Sequence, residues 1–484
     1  MTIVIDQVRR EASRLLDSRR RSELGQYMTP SPIAGFMASL FSYNGKARLL
    51  DAGAGVGSLT SAFLDRALQN GTLVDAETWE IDSILGGYLK NTLDDFVQHG
   101  QGKIKARIHA ADFIEDATFA IQFDSDNRYT HAILNPPYKK ISSNSKHRKL
   151  LRMVDIETVN LYTAFVALTV LMMKEGGEVV AIIPRSFCNG SYYRPFRDLI
   201  LRTCSIRQLH LFESRNQAFQ EDDVLQENII IHLAKGEPQG SVIVSTSRDG
   251  KFLDYRQTMF DAAVIVKPND AEQFIHIPTS AEHTVSPMHC THTLHDIGLA
   301  VCTGPVVDFR MKDYWRDIPG DDTAPLLYPH HFCDGVLSWP RQHKKPNALQ
   351  LANDVRKWLM PRGHYVLVKR FTAKEERRRL VAYHLPYEAL NAAHIGFENH
   401  WNVFHIDKRG MDEDTAKGLS TFLNSTILDE HFRVFSGHTQ VNATDLRNMR
   451  YPSREQLQLL GQRAKNQPNN QTNIDRLIEE LELA

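Results

Sequence analysis

The chain has 484 residues, 42% hydrophobic and 24% charged. That composition supplies a sizeable core, excludes disorder as the main state and leaves room for two or three domains. Its 57 Lys and Arg nearly balance 58 Asp and Glu, a net charge of -1, so a uniformly basic coat is excluded and any nucleic-acid contact must come from local patches. No stretch approaches the ~20 apolar residues of a membrane span, and the charged start MTIVIDQVRREASRLLDSRRR lacks a signal peptide's apolar block. The five cysteines (Cys188, Cys204, Cys290, Cys302, Cys333) are odd in number and lack paired short spacing. They predict a reduced, cytoplasmic protein.

Residues 1–24 read as a charged amphipathic helix. From Ala47 to Ala234, short β-rich runs alternate with helical stretches. The runs are 47–55, 71–82, 103–113, 129–138, 178–187, 205–212 and 227–235, and 159–174 has helical length, with Gly176-Gly177 as its cap. This alternation predicts a parallel α/β sheet, whose ligands sit at the carboxyl ends of the strands. Periodicity weakens after Gly236. Residues 1–268 therefore form the expected first domain. Residues 269–295, rich in Pro, Ser, Thr and His, read as a linker, 296–452 as a second mixed α+β domain, and 453–484 as a polar tail ending in a short helix.

Asp51-Ala52-Gly53-Ala54-Gly55-Val56-Gly57 follows an apolar strand and precedes a helical stretch. Glycines there let the chain turn tightly and a ligand approach the backbone. The spacing differs from the dinucleotide G-x-G-x-x-G, because Ser58 occupies the last slot, and no G-K-[ST] follows. An acid at this strand end suits a cationic ligand such as the sulfonium and amino groups of S-adenosylmethionine, although an ordinary strand-to-helix turn has the same glycines. Glu80, beside Ile81, ends the second run, where a carboxylate can accept both ribose hydroxyls. Asp112-Phe113 closes the third, where an acid can accept from an adenine amino group and an aromatic can cover the ring. Each is also readable as a surface acid; three in succession after a glycine loop point to one site.

Asn135-Pro136-Pro137-Tyr138 follows the fourth run. The prolines stop the strand and stiffen the turn. The Asn135 amide oxygen and the Pro136 carbonyl form two convergent acceptors for both hydrogens of an exocyclic amino group. Gripping them pulls the nitrogen lone pair out of ring conjugation, and Tyr138 offers a face for stacking.

These features together resemble the gamma-class adenine-N6 DNA methyltransferases of restriction–modification systems, over most of the chain. Gly25-Gln26-Tyr27-Met28-Thr29-Pro30 is similar to the family's first, cofactor-contacting motif, with Met28 where phenylalanine is common. The resemblance makes Tyr27, Thr29, Pro30, Asp51, Gly53, Gly55, Glu80, Ile81, Asp112, Phe113 and Asn135 cofactor contacts, and Asn135 through Tyr138 the catalytic motif. Asn160-Leu161-Tyr162 matches the motif that opens the following helix, Phe219 stands where an aromatic meets the flipped base, and 436–452 resembles a recurrent segment of the C-terminal half. The resemblance implies a Rossmann-like S-adenosylmethionine-dependent methyltransferase domain followed by a target-recognition domain. It also implies a flipped adenine in double-stranded DNA, direct transfer, and a separate cognate restriction endonuclease.

DNA contacts are expected from two basic regions. Lys139 and Lys140 open KKISSNSKHRKLLR, a run without an acid, and residues 341–379 hold twelve Lys or Arg, among them Arg341, Lys344 and Lys345, against Asp354, Glu375 and Glu376. Arg377 to Arg379 also read as a solvated helix face, and Cys302 through Arg310 resembles the opening of the family's recognition region. His289, Cys290, His292 and His295 cluster, but their spacing fits no standard zinc set, and no metal is expected. The alternatives are a cytosine-N4 methyltransferase, where serine is more typical at Asn135, and an RNA-base or protein-glutamine methyltransferase using the same turn. A third is a specificity subunit with an inactive methyltransferase fold, against which intact Asp51, Asn135 and Tyr138 speak.

Overall fold

A computed structural model of the chain describes residues 2–15, 28–123, 128–213, 227–268, 270–278, 290–333, 335–372, 376–435 and 440–483. The chain divides into two compact units, Met1–Ala281 and Glu282–Ala484. Tyr27, Phe219 and His289 lie outside the described residues.

In chain order the first unit runs α1 (Thr2–Leu15), α2 (Ser31–Ser39), β1 (Lys46–Ala52), α3 (Ser58–Gln69), β2 (Leu73–Trp79), α4 (Ser83–His99) and β3 (Ile104–His109). It continues with α5 (Phe113–Phe123), β4 (Tyr129–Leu134), α6 (Lys146–Arg152), α7 (Leu161–Met172), β5 (Met173–Pro184), α8 (Arg194–Thr203), β6 (Cys204–Phe212), β7 (Asn228–Lys235), β8 (Val242–Ser247) and β9 (Arg256–Phe260). One nine-stranded sheet has the order β3-β2-β1-β4-β5-β7-β6-β8-β9. Its central strands are buried on both faces, which is why they read as near-continuous apolar runs. Along β4, Ala132 and Leu134 join the core under α5 and α7, while Ile133 joins the core under α2 and α3. Fully burying a side chain the size of Ile133 or Leu134 contributes ~1.5–3 kcal/mol. The strand order reverses between β1 and β4, and ligands gather at such a switch point. The glycine loop leaves β1 there, and the Asn-Pro-Pro-Tyr turn leaves β4.

The sheet is parallel from β3 to β5, but β7 inserts antiparallel between β5 and β6. The alternation of runs did not show this reversal, because strand direction depends on the connection and not on side-chain patterning. The strands β8 and β9 extend the sheet beyond Gly236, where periodicity had faded. Helix α7 ends at Met172, so Gly176-Gly177 does not cap it. Those glycines lie within β5, where its register against β4 shifts between Tyr129 and His131. Gly176 has φ +75°, which suits a glycine at this irregularity.

In the second unit a four-stranded antiparallel sheet runs in the order Ala300–Thr303, Trp401–His405, Tyr365–Lys369, Ala382–Leu385. Helix Glu413–Leu423 packs beside it and crosses helix Arg454–Lys465 at glycines. A Cβ on Gly418 would stand 1.8 Å from the Leu457 carbonyl oxygen, and one on Gly461 1.9 Å from that of Asp414. Residues 454–465 and 471–480, set apart above as a tail, are therefore helices whose Leu457, Leu460, Leu477 and Ile478 belong to this unit's core. Segment 269–295 also has folded ends. Ile275 donates its N–H to the Cys188 carbonyl at 2.9 Å, and His292 pairs with Tyr451.

Candidate active site

A cavity of about 370 Å³ opens at the carboxyl ends of β1, β2 and β4, within the size range of small-molecule and cofactor sites. Gly53, Gly55, Glu80, Ile81, Asp112 and Phe113 reach its wall. So do Thr29, Asn135, Pro137, Lys139 and Lys140. Asp51, Pro30, Pro136 and Tyr138 do not line it.

The glycine loop is built by its backbone. Gly53 and Gly55 have φ +77° and +58°, and the N–H groups of Gly53 and Ala54 both donate to the Trp79 carbonyl at 2.9 Å. Gly57 begins α3 at φ +87°, and a Cβ there would lie 2.9 Å from Leu89. The Glu80 carboxylate clasps this loop. Its Oε2 accepts from the Gly55 N–H at 2.8 Å and its Oε1 from the Asp82 N–H at 2.7 Å. Burial nonetheless pushes the Glu80 carboxyl up, against those two hydrogen bonds. Each oxygen carries a second lone pair, so the diol-accepting role remains open.

Asp51 sits behind the loop, 0% exposed. Its Oδ2 accepts from Thr60 Oγ1 at 2.6 Å, while Oδ1 has no hydrogen-bond partner among the described residues. Burial raises its carboxyl to about 7; the Thr60 bond opposes that shift and the Glu80 charge adds to it. The sequence placed this acid against the ligand, whereas the structure places it one layer back.

Asp112 lies just before α5. Its Oδ1 accepts from the N–H groups of Ile114 at 2.9 Å and Glu115 at 3.3 Å. Its Oδ2 lies 2.7 Å from His147 Nε2. Burial alone would raise this carboxyl, but the His147 bond and charge outweigh it and hold the group below its usual value. The His147 imidazole is raised in turn by the same bond. Sequence reasoning missed His147 as a site residue, since it stood in a run read only as basic.

Asn135 is held from two sides. Its Nδ2 donates to Thr29 Oγ1 at 3.1 Å, and its Oδ1 accepts from the Tyr138 hydroxyl at 2.8 Å. The same hydroxyl lies 3.0 Å from the Ile182 carbonyl. An amide oxygen has two lone pairs, so the Tyr138 bond alone does not saturate it. Behind Tyr138, the Tyr162 hydroxyl meets Ser186 Oγ at 2.9 Å, and Asn160 at the start of α7 donates to Tyr193.

The basic run 139–152 meets acids from elsewhere in the fold. Lys146 pairs with Glu115 at 2.6 Å, and both Arg148 and Arg152 pair with Glu157. In the second unit, Lys345 pairs at 2.6 Å with buried Asp308, and Arg341, an exposed residue, donates to the His330 carbonyl at 2.7 Å. Lys344 is exposed. Arg378 and Arg379 are not on a helix face. Arg379 is 1% exposed over the Phe432 ring, and Arg378 donates to the Ser425 carbonyl. Cys290 of the His/Cys cluster is buried, with its thiol toward the Leu483 carbonyl.

Residues 73–219 match the Eco57I restriction-modification methylase family. The chain is 51% identical to the type II methyltransferase M.BsuBI of Bacillus subtilis over 476 residues, 96% of this chain and 95% of that protein. It is 42% identical to the type II methyltransferase M.PstI of Providencia stuartii, over 99% of this chain and 96% of that protein. Among solved structures, it shares its fold with the DrdV–DNA complex at a TM-score of 0.55 and 12% identity, over 93% of this chain and 58% of that one. No helix among the described residues is long and apolar enough to cross a membrane.

Proposed function

We propose that this chain, which belongs to the type II methyltransferases of restriction–modification systems, methylates the N6 amino group of adenine at a specific site in double-stranded DNA, with S-adenosylmethionine as donor. The observation that carries the reading is the Asn135 side chain at the cavity wall, its amide nitrogen donating to Thr29 and its oxygen accepting from Tyr138.

The residues present fit S-adenosylmethionine. Glu80 suits the ribose hydroxyls, Ile81 and Phe113 the faces of adenine, Asp112 its amino group, and the open backbone of Gly53 and Gly55 the methionine portion. The orphaned Asp51 Oδ1 adds negative potential behind that loop, which favours a ligand carrying ammonium and sulfonium charge. That cofactor supplies an activated methyl group.

The chain's own residues prepare the acceptor. Asn135 Oδ1 and the Pro136 carbonyl each accept one hydrogen of the target amine. This grip disfavours conjugation of the nitrogen lone pair with the ring and orients it for attack, a stabilisation realised as positive charge develops on nitrogen. The amine is neutral, so no base has to act first, and its proton leaves to solvent after transfer. Tyr138 and Phe219 stack on the extruded base. Lys139 and Lys140 meet phosphates beside the site, and Arg341, Lys344 and Lys345 belong to the DNA-reading half. A cognate restriction endonuclease is a separate chain.

Duplex DNA incubated with tritiated-methyl donor and then digested to nucleosides tests this. N6-methyldeoxyadenosine is the expected labelled product. N4-methyldeoxycytidine would overturn the choice of base, and label in RNA or protein alone would overturn DNA as substrate.

A further inference from the structure

Helix α6 begins over the adenine end of the cavity. Ser145 caps it, accepting from the Arg148 N–H at 3.3 Å, and Ser142, Ser145 and His147 all reach the cavity wall. Two ion pairs dock this turn onto the first turn of α5: His147 Nε2 with Asp112 Oδ2 at 2.7 Å, and Lys146 Nζ with Glu115 Oε1 at 2.6 Å. Asp112, Glu115 and His147 bring ligand atoms within 4.8 Å of one another, a grouping that can suggest a metal. Here Glu115 is already paired with Lys146 and Asp112 with His147, so the three candidate ligand groups are engaged with one another and with Lys146.

The division of labour at Asp112 points elsewhere. Helix α5 uses Oδ1 for two of its first N–H groups. The other oxygen, Oδ2, is held by the His147 imidazole of α6. An oxygen fixed in this way, with a second lone pair, presents a directed acceptor to a neutral N–H donor in the cavity. We propose that His147 is a positioning residue for the cofactor's adenine. By binding Asp112 Oδ2, it aims that oxygen at a 6-amino group and so sets the preference for an aminopurine over an oxopurine. This rests on the methyl-transfer reading of the cavity. The imidazole also keeps Asp112 ionised, consistent with the opposed shifts of the two groups. A 6-oxo purine would turn a carbonyl oxygen toward a fixed carboxylate oxygen, two acceptors with no hydrogen between them.

Calorimetric titration of the full chain with S-adenosylhomocysteine and with its 6-oxo (inosine) analogue reads the preference directly. Wild type should prefer the amino ligand at least tenfold. In His147→Ala the preference should fall below threefold, and His147→Gln, whose amide can also donate to Asp112, should restore it. Lys146→Ala breaks the other ion pair of the same turn without touching Asp112, and should leave the preference as in wild type. The His147 side chain is 33% exposed, so its truncation leaves the core intact. An unchanged preference in His147→Ala, or an equal loss of preference in Lys146→Ala, overturns the proposal and leaves the methyl-transfer reading standing. Failure of wild type to bind S-adenosylhomocysteine overturns both.

Discussion

The two compact units manage charge in different ways. In the first, the acids at the cavity stand at the ends of strands, and each rests an oxygen on the turn that follows it: Glu80 on the Asp82 N–H, and Asp112 on those of Ile114 and Glu115. They gather around one cavity. In the second, charges are matched over long sequence distances. Lys345 pairs with Asp308, thirty-seven positions away, and the Asp429 carboxylate accepts from the Arg379 N–H, fifty away. A site made of strand ends survives as a local pattern. A binding surface is what remains after the interior has claimed its ions, and that remainder depends on the whole fold.

Five substitutions would break or sharpen this contrast. The largest effect is expected at Asn135, where Asn135→Ala should lower kcat for methyl transfer on the order of 10³-fold, with S-adenosylhomocysteine affinity changed far less. Single-turnover rates alongside calorimetry separate the two, and retention of full transfer would remove Asn135 from the chemistry. Next comes Gly418→Ala, which drives a methyl into the Leu457 carbonyl and should destabilise the second unit by ~3 kcal/mol or more. Denaturant unfolding measures that loss. If the cofactor site belongs wholly to the first unit, S-adenosylhomocysteine should still bind; loss of that binding would end the contrast drawn here.

Asp51→Asn should act in the opposite direction. The folded-state carboxyl, raised to about 7, binds its proton more tightly than in the unfolded chain. Its contribution is therefore most favourable at low pH and is lost as pH rises toward 7 and beyond. Without ligand, Asp51→Asn should be more stable than wild type at pH 8, by on the order of 2–4 kcal/mol. The gap should narrow at pH 5, and cofactor affinity should fall. Urea midpoints at the two pH values decide it; a gap that widens on acidification would contradict the assignment.

The smallest effects separate two neighbours. Lys345→Ala leaves buried Asp308 without its ammonium and should lower stability by ~1–3 kcal/mol. Lys344→Ala should leave Tm unchanged and reduce the salt dependence of DNA binding by about one contact's worth. If instead Lys344→Ala destabilises and leaves the salt slope untouched, the surface has been drawn at the wrong residue.

These neighbours also show where sequence reasoning stops. The glycine loop, Glu80, Asp112 and Asn135 were legible because turn chemistry acts over a few residues, and the structure brings all of them to one cavity wall. Asp51 was legible as an acid but not as one set behind the loop on Thr60. His147 was not legible as a site residue, since its partner lies thirty-five positions away and no spacing announces that meeting. The antiparallel β7, the strands β8 and β9, the helix 454–465 and the docking of the expected terminal helix were missed for a related reason: direction and docking are settled by distant packing. Gly176-Gly177 marked a real irregularity, in a strand and not at a helix end.

The double grip of Glu80 on the backbone carries a consequence for engineering. On the proposed reading this carboxylate would accept the ribose hydroxyls while also bracing the turn beneath it, so shortening or neutralising it to alter ligand choice would loosen its own platform. On the same reading, enlarged synthetic donors would be better admitted at neighbouring Ile81, 59% exposed at the cavity wall, where trimming would widen the doorway and leave the brace in place.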